Sequence, residues 1–411
     1  DVGTQIIFLD KSDATFPAVS VRITVESAAL SLPAVTADFC PDRNFDLTSL
    51  EDSITSGSGT FSYTQDIERL YVPNVNDKTV TVIDLKTTST IATVTVGSRP
   101  FVVQISPDKL KVYVSNFGDN TVSVIDVTTN TVEATISGFY GPWGIAFNSD
   151  GSRAYICNRY GDNVSVVNTA TNSIIGNAIT VGDTPMGIVV SPDDSKVYVA
   201  NYGSINGETD SLTVINTSNY STSTIPVGSR PKTVALSADG EKVYVNNEGG
   251  SPNTIGSISV IDISTDAVDE HVGTLTAGPF DLAVLPTGNI YTVHGNVEAG
   301  VLNLLELGSP FQLTKFEIDE NTSNFLDGIC TNDDGSVLFL ADQRGQIILF
   351  NTLTNTEIGT IPAEGLGELF GNFYIKSTIS ISAPMTYSPT VGQVIKVAID
   401  GGEECAATTT I

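Results

Sequence analysis

Lys196-Val197-Tyr198-Val199-Ala200-Asn201 stands just after the turn Pro192-Asp193-Asp194-Ser195, and its pattern recurs down the chain. Tyr71-Val72-Pro73-Asn74, Tyr113-Val114-Ser115-Asn116, Tyr155-Ile156-Cys157-Asn158 and Tyr244-Val245-Asn246-Asn247 are full copies; Tyr291-Thr292-Val293-His294 and Phe339-Leu340-Ala341-Asp342 are degenerate ones. Successive copies lie 42, 42, 43, 46, 47 and 48 residues apart. A period in the forties marks a repeat architecture whose units bury their faces against one another.

Around Tyr198 the repeat reads as four short strands. Met186 to Ser191 is an apolar run, Lys196 to Asn201 a second, Ser211 to Asn216 alternates like a half-buried strand, and Ser221 to Val227 is a fourth. Turn residues punctuate the chain about every ten residues, which predicts an antiparallel meander. Asp and Asn close the third strand at Asp84, Asp126, Asn168, Asn216 and Asp262. Their side chains can accept from the turn backbone two residues on, which favours a tight reversal. Four strands per repeat at this period predict an all-β fold, a seven-bladed β-propeller of four-stranded antiparallel blades. Matching Gly59 to Met186 makes the first repeat complete, and places seven whole blades within residues 57–366.

The Tyr-Val-x-Asn strand is followed by Val122-Ser123-Val124-Ile125-Asp126 and Thr128-Thr129-Asn130-Thr131 in the second copy. This pattern resembles the YVTN family of β-propeller repeats, over about three quarters of the chain. The resemblance implies a secreted or surface-layer-associated protein. Related propellers include lactonases, lyases and haem- or quinone-containing enzymes, so the scaffold alone does not decide activity.

Two flanks lie outside the repeats, residues 1–56 and 367–411. Both contain strand-like runs, such as Ile6 to Leu9, Val19 to Val25 and Gln393 to Ile399. A closed ring brings its first and last blades together, so the flanks are expected to form one small β-rich module. Cys40 and Cys405 lie one in each flank and are a candidate disulfide, with two thiols or an intermolecular bridge as alternatives. Cys157 and Cys330 fall in strands and read as buried hydrophobes. The terminal strands are also candidate donors for self-association into a filament or surface lattice by strand addition.

Forty-seven acidic residues against 19 basic ones give a formal net charge of -28. That balance disfavours nucleic acid and anionic lipid as partners. No apolar stretch has the length of a membrane-spanning helix. The chain starts at Asp1, which reads as a processed chain from an exported precursor.

Candidate chemistry is sparse. There are only two histidines, His271 and His294, and no Cys-x-x-Cys. Acid–base catalysis by histidine and histidine metal sites need more than this. The mouth of the channel is predicted at Gly59, Phe101, Trp143, Met186, Lys232, Phe280 and Asp327. Arg99 and Arg230 lie beside it, each in a Gly-Ser-Arg-Pro turn. Arg99, Phe101, Trp143, Arg230 and Lys232 are the candidate ligand-binding set, for an anion or a glycan; packing between blades is the alternative role. Asn163, Asn216, Asn219 and Asn321 begin glycosylation sequons. No catalytic residue, metal ligand or cofactor is assigned, although a structural divalent cation is an alternative for the acidic turns. The leading expectation is a non-enzymatic extracellular structural or adhesive protein. The alternatives are a propeller enzyme of lactonase or lyase type with a metal in its channel, and a soluble glycan-binding module.

Overall fold

The structure, a computed structural model, describes residues 5–8, 20–24, 57–203, 210–250, 255–294, 301–306, 312–318, 326–342, 345–363, 371 and 373–387. Every regular element among them is a β-strand. The chain divides into two compact units, residues 68–375 and residues 1–67 with 376–411. The repeat pattern places the borders instead at 57–366, 1–56 and 367–411.

Residues 68–375 form a seven-bladed β-propeller. Six blades are four-stranded sheets whose strands follow chain order, from inner to outer. Blade four shows the pattern, with Pro185–Val190, Lys196–Asn201, Ser211–Asn216 and Thr222–Pro226 pairing in sequence. Blades two, three, five, six and seven occupy residues 100–137, 142–180, 231–277, 279–317 and 326–362. The inner three strands are mostly buried, as are Val112 to Asn116 in Lys111–Asn116, whereas outer strands such as Ser89–Thr95 are mostly exposed. Val, Ile and Tyr fill the buried positions because branched and aromatic side chains pack well on a pleated surface.

Blade one departs from the expected plan. Its strands Gly57–Asn74, Thr79–Asp84 and Ser89–Thr95 pair in order, and Tyr374–Tyr387 pairs with Gly57–Asn74. The Tyr71 N–H donates to the Phe373 carbonyl at 2.9 Å. Residues 373–375 therefore supply the inner strand that the repeat pattern predicts around Gly59. Phe373, Tyr374 and Ile375 are buried. Tyr374 stacks on Phe339 of blade seven, with centroids 5.2 Å apart, and its hydroxyl donates to Glu68 Oε1 of blade one at 2.9 Å. The ring is thus fastened by a late segment pairing with an early one, which ties the last blade to the first.

Each element of the repeated motif has a distinct physical role. The Asn clasps strand three to strand two: Asn116 Nδ2 donates to Thr121 Oγ1 at 3.1 Å and Ser123 Oγ at 2.8 Å. Asn74, Asn158, Asn201 and Asn247 do the same, so these side chains hold the hairpin as well as sitting at its turn. His294 replaces one of them and keeps the function through Asn303, 2.8 Å from its Nε2. The glycines before the blades press on these asparagines. A Cβ on Gly97, Gly182 or Gly228 would lie 2.7 Å from Asn116, Asn201 or Asn247. The tyrosines link blades: Tyr71, Tyr113, Tyr198 and Tyr291 donate to Asn130, Asn172, Asp266 and Asn355. Those acceptors all have φ between 49° and 54°, in the turn between strands three and four. Asn and Asp tolerate that left-handed conformation better than other non-glycine residues.

The turn carboxylates behave as the sequence predicts. Asp84 Oδ1 accepts from Lys86 N at 2.9 Å and Thr87 N at 3.0 Å, and Asp126 repeats the arrangement. Asp193 accepts from Ser191, Ser195 and the Ser195 backbone, and these hydrogen bonds bring it down to about 2. Such turns use their acidic groups for backbone geometry.

In the terminal unit, Gln5–Phe8 pairs antiparallel with Ser20–Thr24, with Gln5 opposite Ile23. Ser20–Thr24 pairs in turn with residues 60–63, with Val21 opposite Tyr63. Cys40, Cys405 and Asn321 lie outside the described residues.

Candidate functional site

The inner strands of blades two to seven, with Gly371, line a cavity of about 570 Å³ along the ring axis. The second residue of each inner strand is Phe101, Trp143, Met186, Lys232, Phe280 or Asp327, and all six are buried. Gly59, expected as the seventh member of this set, belongs to the terminal unit.

The third residue controls how closely consecutive blades approach. A Cβ on Gly144 would meet the Met186 carbonyl at 2.1 Å, and one on Gly371 would meet the Val103 carbonyl at 2.3 Å. In blade six this place is taken by Asp281. Its carboxylate accepts from the Leu282 N–H at 2.9 Å and from the Ile329 N–H of blade seven at 3.4 Å. Burial pushes Asp281 up to about 7, opposed by those two amides and by the positive charge of Lys232. The Lys232 ammonium lies over the Phe280 ring, 2.8 Å from its centroid. Cys330 also lines the cavity, and burial raises its thiol far above the usual range, so it stays protonated and inert.

Above this cavity the rim divides into two chemically different sectors. Arg230 of blade five lies over Tyr202, 4.7 Å from the ring centroid, donates to the Tyr202 hydroxyl, and is 3.7 Å from Glu248. Tyr202 in turn donates to Glu248 Oε2 at 2.5 Å. Arg99 of blade two sits in the same turn but over Phe101 and Phe117, at 5.4 Å and 5.3 Å. Phe101 stacks on Trp143 with centroids 4.8 Å apart, and Arg159 covers Trp143 at 4.7 Å. Trp143 is only 3% exposed, so its faces are already occupied.

The structure therefore brings Arg99, Phe101 and Trp143 into one cluster, and separates Arg230 and Lys232 into pairings with Glu248 and with Phe280 and Asp281. Arg159, Phe117, Tyr140, Tyr160 and Asp281 were not singled out from the sequence. One signal pointed to some of them. The residue after the motif Asn is Val75, Phe117, Arg159, Tyr202 and Glu248 in blades one to five. A position that changes character within a constant repeat faces something other than the repeat.

Asn163 is engaged at both ends of its amide, by Asn158 and by the Gly161 carbonyl. Asn216 and Asn219 lie in the exposed turn of blade four, accepting from Ser218 and Ser221. His271 sits on the outer strand of blade five, its Nδ1 2.9 Å from Ser259 Oγ. Among the described residues no group of three His, Cys, Asp or Glu is placed to hold a metal ion.

A family model described as lactonase, 7-bladed beta-propeller, matches residues 63–173. No curated protein matches the chain. Among solved structures, hydrazine synthase from Kuenenia stuttgartiensis is similar at 21% identity, covering 69% of this chain and 95% of its own, with a TM-score of 0.60. A protein of unknown function from Desulfotomaculum acetoxidans reaches 15% identity over 76% of this chain and 99% of its own, also at 0.60. The propeller domain of Cps50 (Swd1) from Myceliophteria thermophila gives 11%, 66%, 88% and 0.55. At these identities the likeness is one of fold.

Proposed function

We propose that this protein is an extracellular structural or adhesive subunit, a rigid propeller that assembles with other copies through its terminal unit. The observation that carries the reading is the division of the chain. Residues from both ends, 1–67 and 376–411, gather in one compact unit, while 68–375 make the ring. Terminal strands such as Gln5–Phe8 offer backbone that can join a sheet of another copy. The acidic surface keeps such a subunit soluble before assembly. A Cys40–Cys405 bridge would fasten the two ends of the chain in an oxidising compartment. Negative-stain imaging of native material tests the proposal: ordered polymers or sheets are expected, and dispersed single particles at every concentration contradict it.

A second reading is favoured by Asp281. A buried carboxyl that titrates near 7, beside Lys232 in an axial cavity, suits general-base activation of water, and the partial lactonase match is consistent with lactone hydrolysis. Among the described residues no three His, Cys, Asp or Glu are placed together for a metal, so this chemistry would rest on Asp281 itself. Turnover of aldonolactones that is lost in Asp281→Asn selects this reading; absence of turnover across such a panel removes it.

A further inference from the structure

We infer that the rim between blades two and three is a binding site for an acidic saccharide, with Arg99 and Arg159 holding its anionic group and Tyr140 and Tyr160 its sugar ring. The site stands without the assembly reading and goes beyond it.

On a chain of net charge -28, basic side chains find acidic partners readily. Lys111, Lys196, Arg230 and Lys242 all do so. Arg99 and Arg159 instead rest on aromatic faces. Both guanidinium groups lie over the Phe117 ring, at 5.3 Å and 5.9 Å from its centroid, and Arg159 also covers Trp143. Two like charges share one ring. The buried Arg159 Nε has no hydrogen-bond partner. A guanidinium stacked by its face can still turn its terminal Nη edge to a ligand, and that edge matches a carboxylate or sulfate bidentately.

Arg230 is the internal control. Arg99 and Arg230 occupy identical Gly-Ser-Arg-Pro turns, with φ of 53° and 56°. The carbonyl of each accepts from the residue after the motif Asn, Phe117 at 3.1 Å and Glu248 at 3.0 Å. Where that residue is Glu248, the arginine is neutralised within the fold. Where it is Phe117, the cation is left facing outward, and Arg99 is exposed. Turn carboxylates of the same two blades are engaged with backbone: Asp119 accepts from Ser98 N at 2.6 Å, and Asp162 from Thr184 N at 2.9 Å.

The tyrosines complete the site. Tyr140 and Tyr160 are 59% and 56% exposed, with centroids 5.7 Å apart, and Tyr160 packs 5.0 Å from Phe117. Gly141 makes room for this: its φ is 65°, and a Cβ there would lie 2.9 Å from the Tyr160 ring. The rings are held in place before any ligand arrives, which lowers the ordering cost of binding. Amphipathic rings with one face on protein and one in water suit the C–H face of a sugar. A single pair of cations within an acidic surface matches one anionic group, and long-range repulsion disfavours an extended nucleic acid.

The test titrates the intact protein with a tetragalacturonate, a sulfated chondroitin tetrasaccharide, neutral maltotetraose and AMP. Calorimetry and the fluorescence of Trp143, the only tryptophan, report binding. Saturable binding of at least one acidic tetrasaccharide is expected, with maltotetraose weaker by about tenfold or more; which acidic probe wins separates carboxylate from sulfate. Arg99→Gln and Arg159→Gln each weaken it by about tenfold, Tyr160→Ala weakens it by a similar factor, and Arg230→Gln leaves it unchanged. Thermal unfolding of each variant checks its fold; if Arg159→Gln fails to fold, the exposed Arg99 decides. Absence of saturable binding, equal affinity for maltotetraose, tighter binding of AMP, or an equal loss in Arg230→Gln overturns the proposal.

Discussion

The Tyr71 hydroxyl of blade one donates to Asn130 Oδ1 of blade two at 2.9 Å. The same acceptor lies 3.3 Å from Arg69, which also donates to the Val127 carbonyl at 2.8 Å. The tyrosine of the repeated motif is thus a fastener between blades, and its ring is fully buried. In blade seven the corresponding residue is Phe339, which has no hydroxyl and packs on Tyr374 of the closing strand.

Removing these hydroxyls is expected to weaken the ring without changing its shape. Tyr71→Phe deletes one hydrogen bond and leaves Asn130 Oδ1 to Arg69 alone, a loss of about 1 kcal/mol. Tyr71, Tyr113, Tyr198 and Tyr291 belong to different blades, so a fourfold Tyr→Phe variant should lose roughly the sum, about 4 kcal/mol. Urea denaturation with an unchanged m-value checks this.

Closure of the ring depends on residues 371–375. Phe373→Ala should cost about 3–5 kcal/mol by emptying a fully buried site. Gly371→Ala must move the Val103 carbonyl, which lies 2.3 Å from the added Cβ, at a residue whose φ is 89°. Hydrogen exchange should show blades one, two and seven losing protection first in both variants. A uniform loss across all blades would count against closure at this seam.

Asp281 gives the propeller a pH dependence. Its carboxyl is raised in the folded state to about 7, against about 4 when unfolded. Between those values the folded state binds the extra proton, so stability is highest at the acid end and falls as pH rises through 7. Asp281→Asn should remove that slope and raise the melting temperature at pH 8 relative to pH 5. The turn aspartates such as Asp193 act in the opposite sense, their stabilisation vanishing as pH falls toward about 2. Thermal melts from pH 3 to pH 9 separate the two contributions.

The strands and turns were legible in the sequence because their causes are local. Asp126 accepts from residues two and three positions on, and Asn116 donates to a strand beginning five residues later. The closing strand was not legible. Residues around Gly59 and the Phe373-Tyr374-Ile375 segment both have strand-like composition, and only pairing across almost the whole chain decides which one joins Tyr71. The rim was half legible for a similar reason. The two Gly-Ser-Arg-Pro turns read alike, and the difference between Arg99 and Arg230 lies in Phe117 and Glu248, each 18 residues downstream of its arginine.

Assembly through the terminal unit is tested most directly by sedimentation velocity on the intact chain and on a variant lacking residues 1–12, which removes Gln5–Phe8. Species far larger than the 43.3 kDa chain are expected for the intact protein, and a single folded monomer for the deletion. An intact protein that sediments as a monomer at every concentration, or a deletion that assembles unchanged, would contradict it.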